Sequence, residues 1–155
     1  MNAREKRTIK QEAERFMKGI VIKDAAEPSA VILELPMLDA KKNPIRFFIG
    51  KRPKAKKFSL LVPIESVGLL AVNSTLAKIQ PVLKTYGLIL SQTAVILEEN
   101  HTLPLHKRIG NITQAIIGID GLVRLWNSEF RRNPDAFESK DSKSVSDRPN
   151  NCTSR

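Results

Sequence analysis

A run of basic side chains is the clearest chemical feature of this 155-residue sequence. Residues 51–57 read KRPKAKK, hold no acid, and follow an apolar run that reads as a strand. The formal net charge is +10, and residues 39–58 alone hold eight basic side chains and one acidic side chain. A positive potential concentrated in this way attracts phosphates or an acidic protein surface. The candidate binding residues are Lys41, Lys42, Arg46, Lys51, Arg52, Lys54, Lys56 and Lys57.

These basic residues flank one predicted strand of about seven residues, which is roughly 20 Å long. A stripe of that length can follow the phosphate backbone of nucleic acid. If it neutralised six phosphates, log K would fall with log salt at a slope of about −5 on duplex DNA. The only aromatic residues nearby are Phe47, Phe48 and Phe58, which disfavours sequence-specific recognition of single strands. We therefore expect a non-enzymatic protein that binds nucleic acid with modest sequence specificity.

Other interpretations of the basic stretch remain open. The chain can be a protein-interaction module, such as an accessory, antitoxin-like or defence-related factor, that docks an acidic or apolar partner. Lysine-rich turns also discourage edge-to-edge pairing of sheets, which would give the stretch a purely protective role. In a eukaryote the same residues would serve as a nuclear-import signal, although short basic runs of this kind are common.

Residues suited to acid–base or metal chemistry are few. His101 and His106 are the only histidines, and their spacing of five places them on different faces of a helix, which disfavours a metal site. A metal-dependent nuclease needs two or more converging carboxylates, whereas the strand regions offer Glu34, Asp39 and the distant Glu65. We predict no catalytic residue, no metal and no cofactor, and a nuclease is the third alternative.

Length and composition indicate one folded domain. Hydrophobic residues make up 41% and charged residues 27% of the sequence, which is typical of globular proteins. No transmembrane segment or signal peptide is recognisable, and the single cysteine, Cys152, cannot form an internal disulfide. These features predict a cytoplasmic protein. We expect a single α+β domain over residues 1–133 and a disordered, serine-rich tail over 134–155.

The first elements are an amphipathic helix and a group of strands. Residues 3–18 carry an apolar stripe at helical spacing, and Gly19 is suited to end that helix. Residues 29–36, 45–51 and 58–63 predict three antiparallel strands in a meander, with the basic run as the second connection. Residues 87–100 hold two short apolar runs that predict a second hairpin. The expected sheet is antiparallel, with four or five strands.

Two further helices are predicted. Ser74 can cap a helix that ends at Gly87, and Pro81 predicts either a kink in that helix or a later start. The long C-terminal helix is expected to begin near Thr102 and to place Pro104 in its first turn. Its apolar residues recur at alternating spacings of four and three: Leu105, Ile109, Ile112, Ile116, Ile119, Val123, Trp126 and Phe130.

This apolar seam allows two kinds of packing. It can cover the sheet as the core helix of one domain, or it can pair with a copy of itself in a homodimer through residues 105–130. Neighbours such as Ala115 and Leu122 broaden the stripe beyond a coiled-coil seam, which favours the core helix. The predicted fold is therefore an antiparallel sheet packed against the C-terminal helix and the 75–86 helix, with the N-terminal helix at an edge.

Three segments together carry a family resemblance: ILELPMLDAKKNPIRFFI, LAKIQPVLKTYGLIL and ITQAIIGIDGLVRLW. In this order and spacing, the chain resembles a bacterial and phage-associated family catalogued only as a domain of unknown function. The resemblance covers about residues 30–126 and implies a prokaryotic or mobile-element setting, without a mechanism. The family pattern has Asp-Asp-Gly after the third strand, whereas this chain has LVPIESVG there, with Gly68 as the match and Glu65 as a distant acid.

Overall fold

The structure is a computed structural model, and it describes residues 1–52, 54–67, 73–99 and 101–132. It divides into two compact units, Met1–Val123 and Arg124–Arg155. The first unit contains the sheet and all of the residues of the predicted binding stripe. The predicted tail, residues 134–155, lies outside the described residues.

Six strands form one antiparallel sheet, which confirms the predicted α+β fold. The order across the sheet is β1-β2-β3-β4-β6-β5. The elements in chain order are α1 (Ala3–Phe16), β1 (Val21–Asp24), β2 (Ala30–Leu38), β3 (Pro44–Gly50), β4 (Ser59–Pro63), a 3₁₀ turn (Ile64–Val67), α2 (Asn73–Thr85), β5 (Leu88–Leu90), β6 (Val95–Glu98) and α3 (Leu105–Arg132).

The sheet has more strands than the four or five expected from the sequence. The predicted meander corresponds to β2, β3 and β4, and the predicted second hairpin corresponds to β5 and β6. The additional strand is β1, which pairs with β2 from Val21↔Glu34 to Asp24↔Val31. Its four residues, VIKD, are too short to show alternation, so its strand conformation depends on pairing with β2.

One face of the sheet contributes the buried core. Strand alternation places on it the fully buried side chains of β2, β3, β4 and β6: Val31, Leu33, Ile45, Phe47, Ile49, Leu60, Val62 and Ile96. Buried residues of the helices complete this core, among them Ile9 of α1, Ile79 of α2 and Ile112 of α3. The helices therefore cover this face of the sheet.

The second face of the sheet carries partly exposed apolar side chains. Ile32, Phe48, Leu61 and Leu97 are half-buried and lie in register across β2, β3, β4 and β6. Ile89 of β5 extends this row and is 43% exposed. The row therefore forms an apolar band across the second face.

Local sequence explains the limits of α1. Asn2 and Glu5 form a capping box, in which each side chain accepts a hydrogen bond from the backbone N–H of the other residue. The helix ends at Phe16 rather than at residue 18, and Gly19 adopts a φ of +87° in the turn that follows. Ile20 lies beyond the helix but is still buried, so the predicted stripe continues into the turn.

The other two helices differ from expectation at their starts. α2 begins at Asn73 and continues through Pro81, so the predicted later start is wrong. α3 begins at Leu105, and the carbonyl of Pro104 accepts hydrogen bonds from the N–H groups of Lys107 and Arg108. Within the first unit the seam of α3 is buried from Ile109 to Val123, as expected for a core helix. None of the helices in the described part of the chain is long and apolar enough to cross a membrane.

Candidate functional site

The predicted basic stripe is distributed between the two ends of β3. Lys41 and Lys42 lie in the turn between β2 and β3, and Arg46 lies on β3 itself. Lys51, Arg52, Lys54, Lys56 and Lys57 lie in the connection from β3 to β4, which we call the basic loop (residues 51–58). The two groups are separated by the seven residues of β3, or roughly 20 Å.

Carboxylates partly offset the charge of the turn between β2 and β3. Asp39 is 3% exposed, and its Oδ1 accepts hydrogen bonds from the backbone N–H groups of Lys41 and Asn43, both at 2.8 Å. Asp120 of α3 is 7% exposed and accepts from the N–H of Ala40 at 2.8 Å. Two buried carboxylates therefore bind the backbone of the turn that carries Lys41 and Lys42.

Two other members of the stripe form ion pairs within the protein. Arg46 donates to Glu34 at 2.8 Å, and the same carboxylate oxygen accepts from Lys23 of β1. Lys51 donates to Glu5 of α1 at 2.6 Å, and its ammonium lies 5.7 Å from the centre of the Phe58 ring. Arg46 and Lys51 therefore connect elements of the fold, and their charges are compensated locally.

Both ion pairs change the titration of the acid involved. The hydrogen bond from Lys51, aided by the N–H of Asn2, holds the pKa of Glu5 below its ordinary value of 4.5. Lys23, assisted by Arg46, likewise lowers the pKa of Glu34. In each case the lowered pKa reflects a carboxylate that is more stable in its charged form beside a cation.

The remaining basic residues of the loop have exposed side chains. Arg52, Lys54, Lys56 and Lys57 form no ion pair with an acid in the described part of the chain. Lys57 donates to the backbone carbonyl of His101 at 3.0 Å, which orients its side chain without neutralising it. These four residues therefore give the loop an uncompensated positive charge.

Several of these cations surround one concavity of about 440 Å³, which we call the cationic concavity. Its lining residues are Arg52, Ala55, Lys56, Lys57, Ser59 and His101. Three cationic side chains and a serine hydroxyl are hydrogen-bond donors suited to phosphate oxygens. No carboxylate of the described residues belongs to this lining, so the local charge favours an anion.

A buried ion pair holds the end of the basic loop in place. Glu98 of β6 and Arg108 of α3 have side chains that are 4% and 5% exposed, and two hydrogen bonds of 2.7 Å join them. Glu98 also accepts from the N–H of Leu60 at 3.0 Å, and Arg108 donates to the carbonyl of Phe58. The pair therefore satisfies backbone groups where the loop enters β4.

Sequence reasoning missed the contributions of Ser59, His101, Glu98 and Arg108 to this region. Glu98 and Arg108 are ten residues apart and meet only because α3 packs across the end of β6. The sequence signal available was the charge of Arg108 within an apolar seam, since a charged residue beside core positions usually has a buried partner. From sequence alone, His101 is a candidate only for metal or acid–base chemistry.

Two of the three acids that a nuclease would require have other partners, and the third lies apart from them in the 3₁₀ turn. Glu34 is bound by Lys23 and Arg46, Asp39 is bound by backbone N–H groups, and Glu65 lies exposed in the 3₁₀ turn. Within the described residues, no group of three or more histidines, cysteines or acids could hold a metal ion. Of the two histidines, His106 contacts Glu12 at 3.0 Å, and His101 lies 3.5 Å from Glu98.

The position of the basic loop in the sheet tests the interpretation that its lysines prevent edge-to-edge pairing with another sheet. Protection against edge-to-edge pairing requires an edge strand. The basic loop joins β3 and β4, which are interior strands, whereas β1 and β5 form the two edges. The lysines of the loop therefore do not guard an edge of this sheet.

Comparison with known proteins assigns no family. No family model matches the sequence, no curated protein matches it, and no solved structure matches the fold.

Proposed function

We propose that this protein is a non-enzymatic, cytoplasmic nucleic-acid-binding protein that contacts phosphates through its basic loop. The observation that carries the proposal is the set of uncompensated cations Arg52, Lys54, Lys56 and Lys57, three of which line the cationic concavity. A prokaryotic or mobile-element setting, which the family resemblance implies, belongs to the same proposal.

The geometry supports a smaller contact surface than the full stripe. The ammonium of Lys51 and the guanidinium of Arg46 are paired with acids, and Lys41 and Lys42 lie about 20 Å away beside buried carboxylates. Four phosphate contacts give a slope of about −3.6 for log K against log salt on duplex DNA, compared with about −5 for six contacts. Between about 50 and 200 mM salt, affinity should therefore fall about 150-fold.

The test compares two variants that lose the same charge. Arg52→Gln/Lys56→Gln removes two cations of the loop, and Lys41→Gln/Lys42→Gln removes two cations of the distant turn. Binding to a labelled non-specific duplex is measured at several salt concentrations. We expect the loop variant to reduce the magnitude of the slope by about 1.8, at about 0.9 per phosphate, and the turn variant to leave the slope near that of the wild type.

Two outcomes contradict the proposal. If the wild-type protein binds no duplex or single strand at about 50 mM salt, where phosphate contacts are strong, nucleic-acid binding is excluded. If both variants reduce the slope equally, the contact follows the whole of β3 rather than the basic loop.

The second candidate function is a protein-interaction module that docks an apolar partner. The apolar band on the second face of the sheet favours it, since Phe48, Leu61 and Leu97 lie there without full burial. Such an interface depends on apolar contact, so its affinity changes little with salt. A shallow salt dependence, together with loss of binding on Leu61→Lys, would favour this function over the first.

A further inference from the structure

Two concavities adjoin at the end of the sheet where the basic loop leaves β3. One is the cationic concavity. The other, of about 400 Å³, has on its lining Ala30, Gly50, Ser59, Leu61 and Leu97, and we call it the apolar depression. Arg52, Ser59 and His101 line both. A single ligand can therefore place one chemical group in the cationic concavity and a neighbouring group in the apolar depression.

Small side chains create the apolar depression. Gly50 of β3 lies opposite Ala30 of β2 and Ser59 of β4, so three neighbouring positions of the second face carry little volume. Leu61 and Leu97, which are paired across β4 and β6, supply apolar surface beside them. The result is a shallow apolar site of the size typical for small ligands, about 300–1,000 Å³.

The charges assign different parts of a ligand to the two concavities. The depression's lining holds Glu27 and also Lys51, whose ammonium is already paired with Glu5, so the depression is less favourable to an anion than the cationic concavity. The cationic concavity has donors and no acid on its described lining, so it favours a phosphate. A flat apolar group joined to a phosphate satisfies both concavities, and a nucleotide unit of a polynucleotide has this chemistry.

We propose that an unpaired base occupies the apolar depression while its phosphate binds in the cationic concavity, which makes single-stranded nucleic acid the preferred ligand. This inference rests on the proposed function. A base inside a duplex has both faces covered by its neighbours and cannot reach the depression without leaving the stack. The duplex therefore uses only the phosphate contacts, whereas a single strand gains a base contact as well.

The site accepts different bases. Leu61 and Leu97 offer no hydrogen bonds, and the carboxylate oxygens of Glu98 are already bound by Arg108 and by the N–H of Leu60. The leucine surface therefore contacts the flat face that every base presents, and polar lining residues such as Ser29 and Arg52 are the groups available to a base edge. An acidic peptide fits less well, because its carboxylates are not joined to flat apolar groups.

The test fills the depression without changing charge. A Cβ on Gly50 would lie 3.9 Å from the Cβ of Ala30, which is ordinary contact, so Gly50→Val is accommodated and occupies the depression. Ala30→Leu fills the same space from β2 and serves as a second variant. Val95→Leu is the control, since it enlarges an apolar side chain on the second face outside the lining of the depression.

Binding is measured with a labelled homopolymeric DNA single strand, a duplex of equal length and a polyglutamate peptide, all at about 50 mM salt. We expect the wild type and Val95→Leu to bind the single strand about tenfold more tightly than the duplex, because burying roughly 55 Å² of base surface against the leucines is sufficient for that change at about 25 cal/mol per Å². In Gly50→Val and Ala30→Leu, affinity for the single strand should fall to about the wild-type affinity for the duplex.

Different failures are distinguishable. Duplex binding with a steep salt dependence but no preference for the single strand would overturn the base site and leave the proposed function standing. A preference that survives both filling variants would likewise overturn the base site. Absence of binding to either nucleic acid overturns both proposals, and tighter binding of polyglutamate than of the single strand assigns the two concavities to an acidic peptide.

Discussion

The buried pair of Glu98 and Arg108 makes a strong prediction about stability. Arg108→Met keeps an unbranched apolar side chain but removes the guanidinium, which leaves the Glu98 carboxylate 4% exposed and without its cation. Breaking a buried ion pair on one side costs about 3–5 kcal/mol. That is a large part of the 5–15 kcal/mol that typically stabilises a domain of this kind.

A second variant, which removes both members of the pair, separates the cost of an unpaired buried charge from the contribution of the ion pair to the free energy of unfolding. Glu98→Leu/Arg108→Met removes both charges, so the N–H of Leu60 and the carbonyl of Phe58 lose their partners, and His101 loses its contact with Glu98. Each unsatisfied backbone group costs about 1–3 kcal/mol where water cannot reach it. The carbonyl of Phe58 already loses its partner in the single variant, so the double variant adds the N–H of Leu60 but removes the unpaired buried charge. Because the charge is the larger cost, we expect the double variant to be no less stable than the single variant.

Urea unfolding at neutral pH, followed by circular dichroism, gives the free energy of unfolding for each protein. Arg15→Met is the matched control, because Arg15 pairs with Glu12 at 2.9 Å and its side chain is 62% exposed. We expect this control to lose less than about 1 kcal/mol. A loss of less than about 1 kcal/mol in Arg108→Met would refute the argument that the Glu98 carboxylate depends on its partner.

Two further predictions concern pH and helix packing. The lowered pKa of Glu5 means that the pair with Lys51 contributes stability above pH 4.5 that is lost as pH falls through the lowered pKa. Acid titration of the unfolding free energy should show a smaller loss in Lys51→Gln than in the wild type, and equal losses would contradict the pairing. Gly121→Ala should raise stability by about 1 kcal/mol, since a Cβ there has no neighbour within 4 Å. Gly110→Ala should lack that gain, because its Cβ would lie 3.0 Å from the Phe16 ring, and thermal unfolding compares the two.

Much of the fold is readable from the sequence because its signals are local. Residues 29–36 are β-branched and apolar with Glu34 as their one charge, and residues 45–51 form a second apolar run, so composition predicts β2 and β3. The spacing of four and three in α3 predicts a helix with one buried face. The turn formers of residues 39–44 lie between two such strands, so the hairpin also follows from local chemistry.

The candidate site is less readable because it depends on contacts distant in sequence. The sequence predicts the positive charge of the loop, but it does not show that Arg46 and Lys51 are paired with Glu34 and Glu5. Partners for those cations come from β2 and α1, and only the tertiary fold brings them within hydrogen-bonding distance. Strand β1 is not predictable for the same reason. Its four residues carry no clear strand pattern, and its strand conformation depends on pairing with β2.

Both ends of the basic loop are held by contacts outside the loop. At its start, the N–H of Lys51 bonds to the carbonyl of Ser29, and at its end the carbonyl of Phe58 accepts from Arg108. The residues between these points can therefore change in number or identity without disturbing strand register. Doubling the length of a flexible loop costs only about 0.6 kcal/mol. This connection is accordingly a natural position for grafting foreign peptides onto the sheet, as a scaffold for engineered recognition.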